Sequence, residues 1–493
     1  MLAVCLAFTG CGKEAPASAA LEADPSLLSG TYCAELVIRD YGTVRFEMDA
    51  DKAPITVTNF VNLLDNVMVG ALGTEQMSGV AITNQLIFVY NLTVFGGLSG
   101  AGIFGAQYFG QHDYDGMRHT MRFKLMFTVV LSVIAVVLIA VRGDRLVLLF
   151  LDNEANAGKD ISITLGYSAD YIRVILWGLP AFAFVQCYAS TLRETGETVV
   201  PMVASVCAIV VNLVGNYLLI FGHLGFRAMG VSGAALATVI SRYVELAIVT
   251  IYTHKNADRF PFIKGMYRSM KIPAALVKRI AVTGSPLLVN EILWSVGTTF
   301  VNQNYSTRGL DVVAALNILS TALQLFNIIM IAMGNAVSIL VGQKLGNGEM
   351  EEAKDVDRKL LAFTVVIHVV MGALLIACSG LIPKLYNTEP EVRTLAAGFL
   401  AVVGCVLPIH AYVHGAYFTI RSGGRTIITM LFDSGYTWLI PVILSRVLCV
   451  HTALPVATVF LIVQFSDIIK IAIAVPMLRS GFWAKNIISD IEK

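Results

Sequence analysis

Apolar residues along this chain come in runs of about 20, the length a helix needs to cross a hydrocarbon core of roughly 30 Å. Short polar stretches separate them. The runs predict helical spans at 78–106, 121–141, 163–191, 199–222 and 229–253, and again at 276–301, 313–342, 359–382, 393–420, 427–448 and 452–477. A candidate first span, 53–72, is weaker because it carries Asn59, Asn62, Asp65 and Asn66. A central Asp alone costs about 2.5–3.5 kcal/mol on insertion scales, so this segment inserts poorly unaided.

The spans repeat. Gly73–Gly110 and Gly309–Gly346 each begin with Gly, hold an Asn in an apolar run (Asn91, Asn327) and end in Gln-x-x-Gly (Gln107, Gln343), all at an offset of 236. Such long-period self-similarity marks an internal repeat. A second echo, at an offset of 228, pairs Leu179-Pro180 with Leu407-Pro408 and Arg193–Gly196 with Arg421–Gly424. With 53–72 counted, each half has six spans, and an even number returns the chain to its starting side. The fold class expected is therefore an all-α polytopic membrane protein, two six-helix lobes related as parallel repeats. Between the lobes lie Lys255, Arg259, Lys264, Arg268, Lys271, Lys278 and Arg279, an excess that marks a cytoplasmic loop. Arg118, Arg122, Lys124, Arg193, Lys354, Arg358, Lys359, Arg421 and Arg425 fall on the same side. Pro180 and Pro408, in corresponding helices, are candidate bend points.

Composition agrees: 56% of the 493 residues are apolar, 14% are charged, and the net charge is +1. No basic-aromatic patch suggests nucleic acid, and no P-loop or hydrolase triad suggests ATP or covalent chemistry. The eight cysteines, at 5, 11, 33, 187, 207, 378, 405 and 449, are scattered without a C-x-x-C, so neither a disulfide framework nor a zinc site is expected.

The first 64 residues read differently. A short apolar run ends in Phe8-Thr9-Gly10-Cys11, similar to a bacterial lipobox. That resemblance makes Cys11 a lipidation site and residues 1–31 a signal with a flexible spacer. The alternative is a chance apolar start, since no Lys or Arg precedes the run. Ala34–Arg39 and Thr43–Met48 alternate around Asp40-Tyr41-Gly42 as a hairpin, and Asp51–Pro54 reads as a helix start. Residues 32–64 resemble the opening of a cyclophilin-type prolyl isomerase, but that family's Phe-His-Arg and Gln-Gly-Gly-Asp segments are absent. Two strands and a helix bury no independent core, so isomerase activity is not expected. Wording shared near residues 59–64 suggests that two genes are joined there, in the cell or by an assembly error. A cleaved lipoprotein signal would also put residues 12–50 on the wrong side for the topology that follows.

From Leu63 to the C-terminus, "LLDNVMVGALGTEQMSGVAITNQLIFVYN" together with the paired motifs resembles the multidrug and toxic compound extrusion (MATE) family of cation-coupled antiporters. That resemblance implies an N-lobe at 65–254, a loop at 255–275, a C-lobe at 276–478 and a cytoplasmic tail at 479–493. It makes Glu291 the cation-binding carboxylate, and a Glu satisfied by a neighbouring helix is the plainer reading. Asp65 matches the family's first-helix carboxylate, or caps the turn before Gly70. Asn212 and Asn216 stand where some members have Asn-x-x-x-Asp, and could equally be hydrogen-bond glue between helices. His410 falls where several relatives carry Asp, with His414 one turn on, and core histidines are the plainer account. Trp294, Tyr305 and Trp438, with Trp177, could face cationic substrates or anchor at the interface.

The function expected is efflux of small organic, often cationic molecules in exchange for Na⁺ or H⁺, with no cofactor. The expected setting is a monomer among the lipids of a bacterial inner membrane. A lipid-precursor flippase of similar fold would want Arg and Lys lining its cavity, and the spans hold few. A chimera left inactive by its first span is the remaining rival.

Overall fold

The computed structural model describes the strand segments Thr9–Gly10, Thr31–Ile38 and Gly42–Asp49, the positions Met68 and Leu72, and residues 74–151, 162–386 and 388–489. Strands β1 (Thr9–Gly10), β2 (Thr31–Ile38) and β3 (Gly42–Asp49) form one antiparallel sheet in that order. In the β2–β3 hairpin, Leu36 lies opposite Val44 and Ile38 opposite Gly42, so the second strand begins at Gly42 rather than the expected Thr43. Cys11, Asp65 and the helix start at Asp51–Pro54 lie outside the described residues.

Helices follow in the expected order. They are α1 (Thr74–Gly110), α2 (Tyr114–Leu151), α3 (Ser162–Ile175), α4 (Gly178–Glu194), α5 (Val199–Phe221) and α6 (Gly230–Lys255). Then come α7 (Ala274–Ser306), α8 (Leu310–Gly346), α9 (Met350–Cys378), α10 (Pro390–Ser422), α11 (Thr426–His451) and α12 (Val456–Arg479). Among the described residues, ten helices are long and apolar enough to cross a membrane, eleven if the bent pair α3–α4 is one span. Several outrun the predicted spans, because apolar counting finds the part in hydrocarbon while the helix continues into its polar ends.

The α3–α4 bend of 50° has a local cause. Pro180 has no N–H to donate, and its ring crowds the carbonyl four residues back, that of Leu176. The helix breaks there, at Leu176–Trp177. Pro408, its counterpart in the repeat, sits inside an unbroken α10, so the two prolines are not equivalent bend points. Pro441 acts differently again: α11 passes through π turns at Leu431–Gly435 and Trp438–Val442, the second containing that proline. Such turns accommodate a lost helical hydrogen bond and often occur at functional sites.

The described chain divides into two compact units, with α1, α2, α4 and α6 each running from one into the other. The first comprises residues up to 87, 135–182 and 199–248. Its core joins Val80, Tyr171, Ile175, Leu213, Ile220, Val231 and Ala235. Small residues let α5 and α6 approach: a Cβ on Gly233 would lie 2.6 Å from the Leu219 carbonyl oxygen, the close contact that drives helix association in lipid.

The second unit comprises 88–134, 183–198 and residues from 249 on. One apolar cluster gathers Tyr305, Val312, Phe326, Phe399, Leu400 and Phe460. Another gathers Val337, Val341, Leu345, Tyr417, Phe432 and Trp483 near the helix ends that carry the basic residues. On α2, Val129, Val130 and Val133 stay about half exposed or more, an apolar stripe suited to lipid.

At the basic end of this unit the two Gln-x-x-Gly motifs meet. A Cβ on Gly110 would lie 1.9 Å from the Gln343 carbonyl oxygen, and a Cβ on Gly346 would lie 1.9 Å from the Gln107 carbonyl oxygen. Each motif's glycine is the seat for the other's glutamine backbone. The C-terminal segment after α12 crosses this junction. Gln107 Nε2 donates to the carbonyls of Ser422 and Lys485, both at 3.1 Å, while its Oε1 accepts from the Ile487 N–H at 2.8 Å. Asn486 donates to the Gly346 carbonyl at 2.9 Å, and Trp483 is buried. Arg118 and Arg122 of α2 hold the loop after α6 by its carbonyls at Phe262 and Met266, each at 3.0 Å.

Candidate functional site

The site is built where α7, α10, α11 and α12 come together inside the second unit. Helix α7 has the lowest mean hydropathy of the ten spans, 1.2, because its middle is polar. Glu291 stands there, half-buried. Gly96 of α1 gives it room: a Cβ at Gly96 would come within 3.5 Å of Glu291 Cγ. The neighbouring Phe95 ring lies 5.9 Å from the Arg421 guanidinium, which also covers Phe418 at 5.0 Å. Arg421 is 5% exposed, and its Nε and Nη1 find no hydrogen-bond partner among the described residues. Glu291 and Arg421 thus flank consecutive residues of α1.

Asn290, next to Glu291, is buried and organises the rest. Its Nδ2 donates to Asp433 Oδ2 at 3.1 Å and to the Tyr417 hydroxyl at 3.4 Å. Its Oδ1 accepts from Ser434 Oγ at 2.6 Å. Asp433 and Ser434 sit in the first π turn of α11, which brings both within reach of one amide. Lys470 Nζ of α12 pairs with Asp433 Oδ1 at 2.9 Å, with 7% of the lysine side chain and 20% of the aspartate exposed. One turn before it, Asp467 lies 3.4 Å from His410 Nε2 of α10. Asn290 is next in sequence to Glu291, and His410 meets Asp467, three residues from Lys470 on α12. Charged groups within spans are expensive and are retained for paths and sites.

Other expected residues lie elsewhere. Asn212 and Asn216 are in the first unit: Asn216 Nδ2 donates to Asn212 Oδ1 at 3.2 Å, and Asn212 Nδ2 to Thr238 Oγ1 at 3.1 Å. The Asn212–Thr238 bond ties α5 to α6. Tyr305 is 1% exposed and packs on Phe460 with centroids 5.6 Å apart, so its ring offers no free face. Trp438 donates to the Leu293 carbonyl at 2.9 Å and tilts against Phe300. Trp294 and Trp177 are exposed. His414 packs among Tyr417 and Phe418. Asp433, Asp467 and Lys470 are absent from the sequence-based set. The signal was available, since each is a charge within an apolar run, as Glu291 is, and such groups are costly and hence functional candidates. Among the described residues no group of three His, Cys, Asp or Glu could hold a metal ion.

A family model described as MatE matches residues 54–218 and 286–447, once in each half. The chain belongs to the MatE family. The first match begins at residue 54, ahead of the boundary at 63–65 expected from wording alone and close to the start of the candidate first span. MatE proteins are secondary transporters rather than enzymes. Among its relatives, the chain is 26% identical over 391 residues to the probable multidrug resistance protein YoeA of Bacillus subtilis strain 168, covering 79% of this chain and 82% of that one. It is 23% identical over 438 residues to the probable multidrug resistance protein NorM of Thermotoga maritima, covering 87% and 90%. Its fold matches a solved outward-facing conformation of a multidrug resistance MATE family transporter, with a TM-score of 0.77 at 18% identity, covering 87% of this chain and 93% of that one. A MOP-superfamily transporter from Pyrococcus furiosus, whose binding pocket is of reversed polarity, matches equally, with a TM-score of 0.77, 18% identity and coverage of 87% and 92%. This MatE chain thus has the twelve-helix fold of that family; the candidate first span, 53–72, lies outside the described residues apart from Met68 and Leu72.

Proposed function

We propose that this MatE protein exports small organic molecules, often cationic, in exchange for Na⁺ or H⁺ by alternating access. The observation that carries the reading is the midspan polar cluster: Glu291 is beside Asn290, which is bonded to Asp433, within otherwise apolar helices. A carboxylate in such surroundings holds a cation strongly, and losing it to a substrate cation couples the two fluxes. The names of both curated relatives, as multidrug resistance proteins, favour drug-like substrates. Asp65 and the Asn212–Asn216 pair are assigned to the other half's share of the path.

The lobes run over 65–254 and 276–478, the basic end faces the cytoplasm of a bacterial inner membrane, and the protein works as a monomer. For each transport cycle the packed Gln-x-x-Gly ends must part. The N-terminal 64 residues add a lipid at Cys11 and a cyclophilin-like remnant without catalysis. An uninterrupted amplicon from source DNA that shows two separate genes would remove that segment from the protein.

The deciding experiment is efflux of a cationic dye from pump-deficient bacteria that express the chain, its Glu291→Gln variant or an empty vector. Export above the vector that vanishes in Glu291→Gln, at equal membrane abundance, is the expected result. Unchanged efflux in the variant refutes the role of Glu291.

A further inference from the structure

The Asp433 carboxylate is already occupied by a cation, and the cation belongs to the chain. Lys470 Nζ is 2.9 Å from Asp433 Oδ1, 5.4 Å from the Phe432 ring centroid and 5.2 Å from the Tyr436 ring centroid. An ammonium held by a carboxylate and lying near two aromatic rings is attracted by both, since Coulomb attraction and the ring quadrupoles act together. As a structural device it is costly. A lysine at the centre of a span costs about 2.5–3.5 kcal/mol on insertion scales, and a buried ion pair often stabilises less than apolar residues of similar volume. The pair is also lopsided: the aspartate is 20% exposed and the lysine 7%. The carboxylate thus keeps some surface that the lysine does not cover.

Lys470 also has somewhere to go. Asp467 lies three residues earlier on α12 and is 22% exposed, and side chains at that spacing are neighbours on a helix. Moving from Asp433 to Asp467 would keep the ammonium paired and bring it beside His410. Asn290 fixes the other oxygen of Asp433 at 3.1 Å, and so ties that carboxylate to the helix turn that carries Glu291.

We propose that Asp433, Phe432 and Tyr436 form the subsite for the positively charged group of the exported organic cation. Lys470 is a tethered cation that fills this subsite while it is empty and yields it to substrate by moving to Asp467. The inference rests on the export reading above and assigns that reading's substrate a place. One cation replaces another at Asp433, so that carboxylate is never left without one.

The test uses the wild-type protein in lipid nanodiscs and ethidium as the organic cation. Lysines are acetylated with an amine-reactive ester, and Lys470 modification is read by peptide mass spectrometry with and without saturating ethidium. Acetylation of Lys470 should rise severalfold with ethidium, while the exposed Lys359 stays unchanged. Lys470→Met should bind ethidium severalfold more tightly, and Asp433→Asn more weakly. Lys470 acetylation that is unchanged or reduced under saturating ethidium overturns the proposal, whether or not the variants fold. If export remains dependent on Glu291, that outcome removes only this inference. Failure of ethidium to bind at all removes both.

Discussion

Gly346→Ala tests the reciprocal seating of the two Gln-x-x-Gly motifs. The added Cβ would lie 1.9 Å from the Gln107 carbonyl oxygen and 2.6 Å from its Cα. Carbon atoms pack best at roughly 3.5–4.0 Å, so the ends of α1 and α8 must separate by roughly 1 Å. The obstacle is backbone at a helix end, and no rotamer change relieves it. Overpacking of this kind costs about 1–3 kcal/mol. Against it stands the better helix propensity of alanine, about 1 kcal/mol at most and less at a helix's last residue, so the steric term wins. If the parted state relieves the clash, the variant shifts the opening equilibrium by about 5- to 150-fold.

The assay places a single cysteine at Ala106 in a background without other cysteines. Ala106 is buried, and a Cβ on Gly342 would lie 3.1 Å from it. Maleimide labelling of that cysteine should accelerate in Gly346→Ala and likewise in Gly110→Ala. Gly166→Ala is the control, because nothing lies within 4 Å of its added Cβ. Equal labelling rates in Gly346→Ala and its parent would refute the claim that these glycines hold the ends together.

Other predictions follow from the same packing. Lys124→Met leaves the Glu194 carboxylate, 2.5 Å from Lys124 Nζ and about as buried, without its counter-charge; the expected loss is about 3–5 kcal/mol, read as lower Tm in detergent. Trp483→Ala removes a fully buried side chain from the segment crossing the basic end, with an expected cost of about 3–5 kcal/mol and faster proteolysis of the C-terminus. Lys264 holds the Asp258 carboxyl below its usual range by a hydrogen bond. A depressed carboxylate pKa stabilises above the unfolded value and loses that stabilisation as pH falls through the folded one. Because Asp258 is fully exposed, Asp258→Asn should leave Tm at neutral pH unchanged.

Apolar run length and repeat spacing alone determined the membrane class, the span order and the doubling, because about 20 apolar residues have few other uses in a chain. Local chemistry did as well at Pro180, whose missing N–H and crowded carbonyl lie within one turn, but Pro408 shows that a matching residue in a repeat need not bend its helix. That Glu291 is a carboxylate within a span was plain from the sequence, and such a group is costly wherever it ends up. The cluster beside it was not legible: Asn290, Asp433 and Lys470 come from three helices, and only packing brings an amide to one aspartate oxygen and an ammonium to the other. The same holds for Tyr305, an available aromatic in the sequence and a core residue in the fold. The Gln-x-x-Gly motifs show the division most clearly. The sequence repeats them, and the tertiary structure makes them partners, since each glycine's missing side chain matters only when another helix end occupies the space.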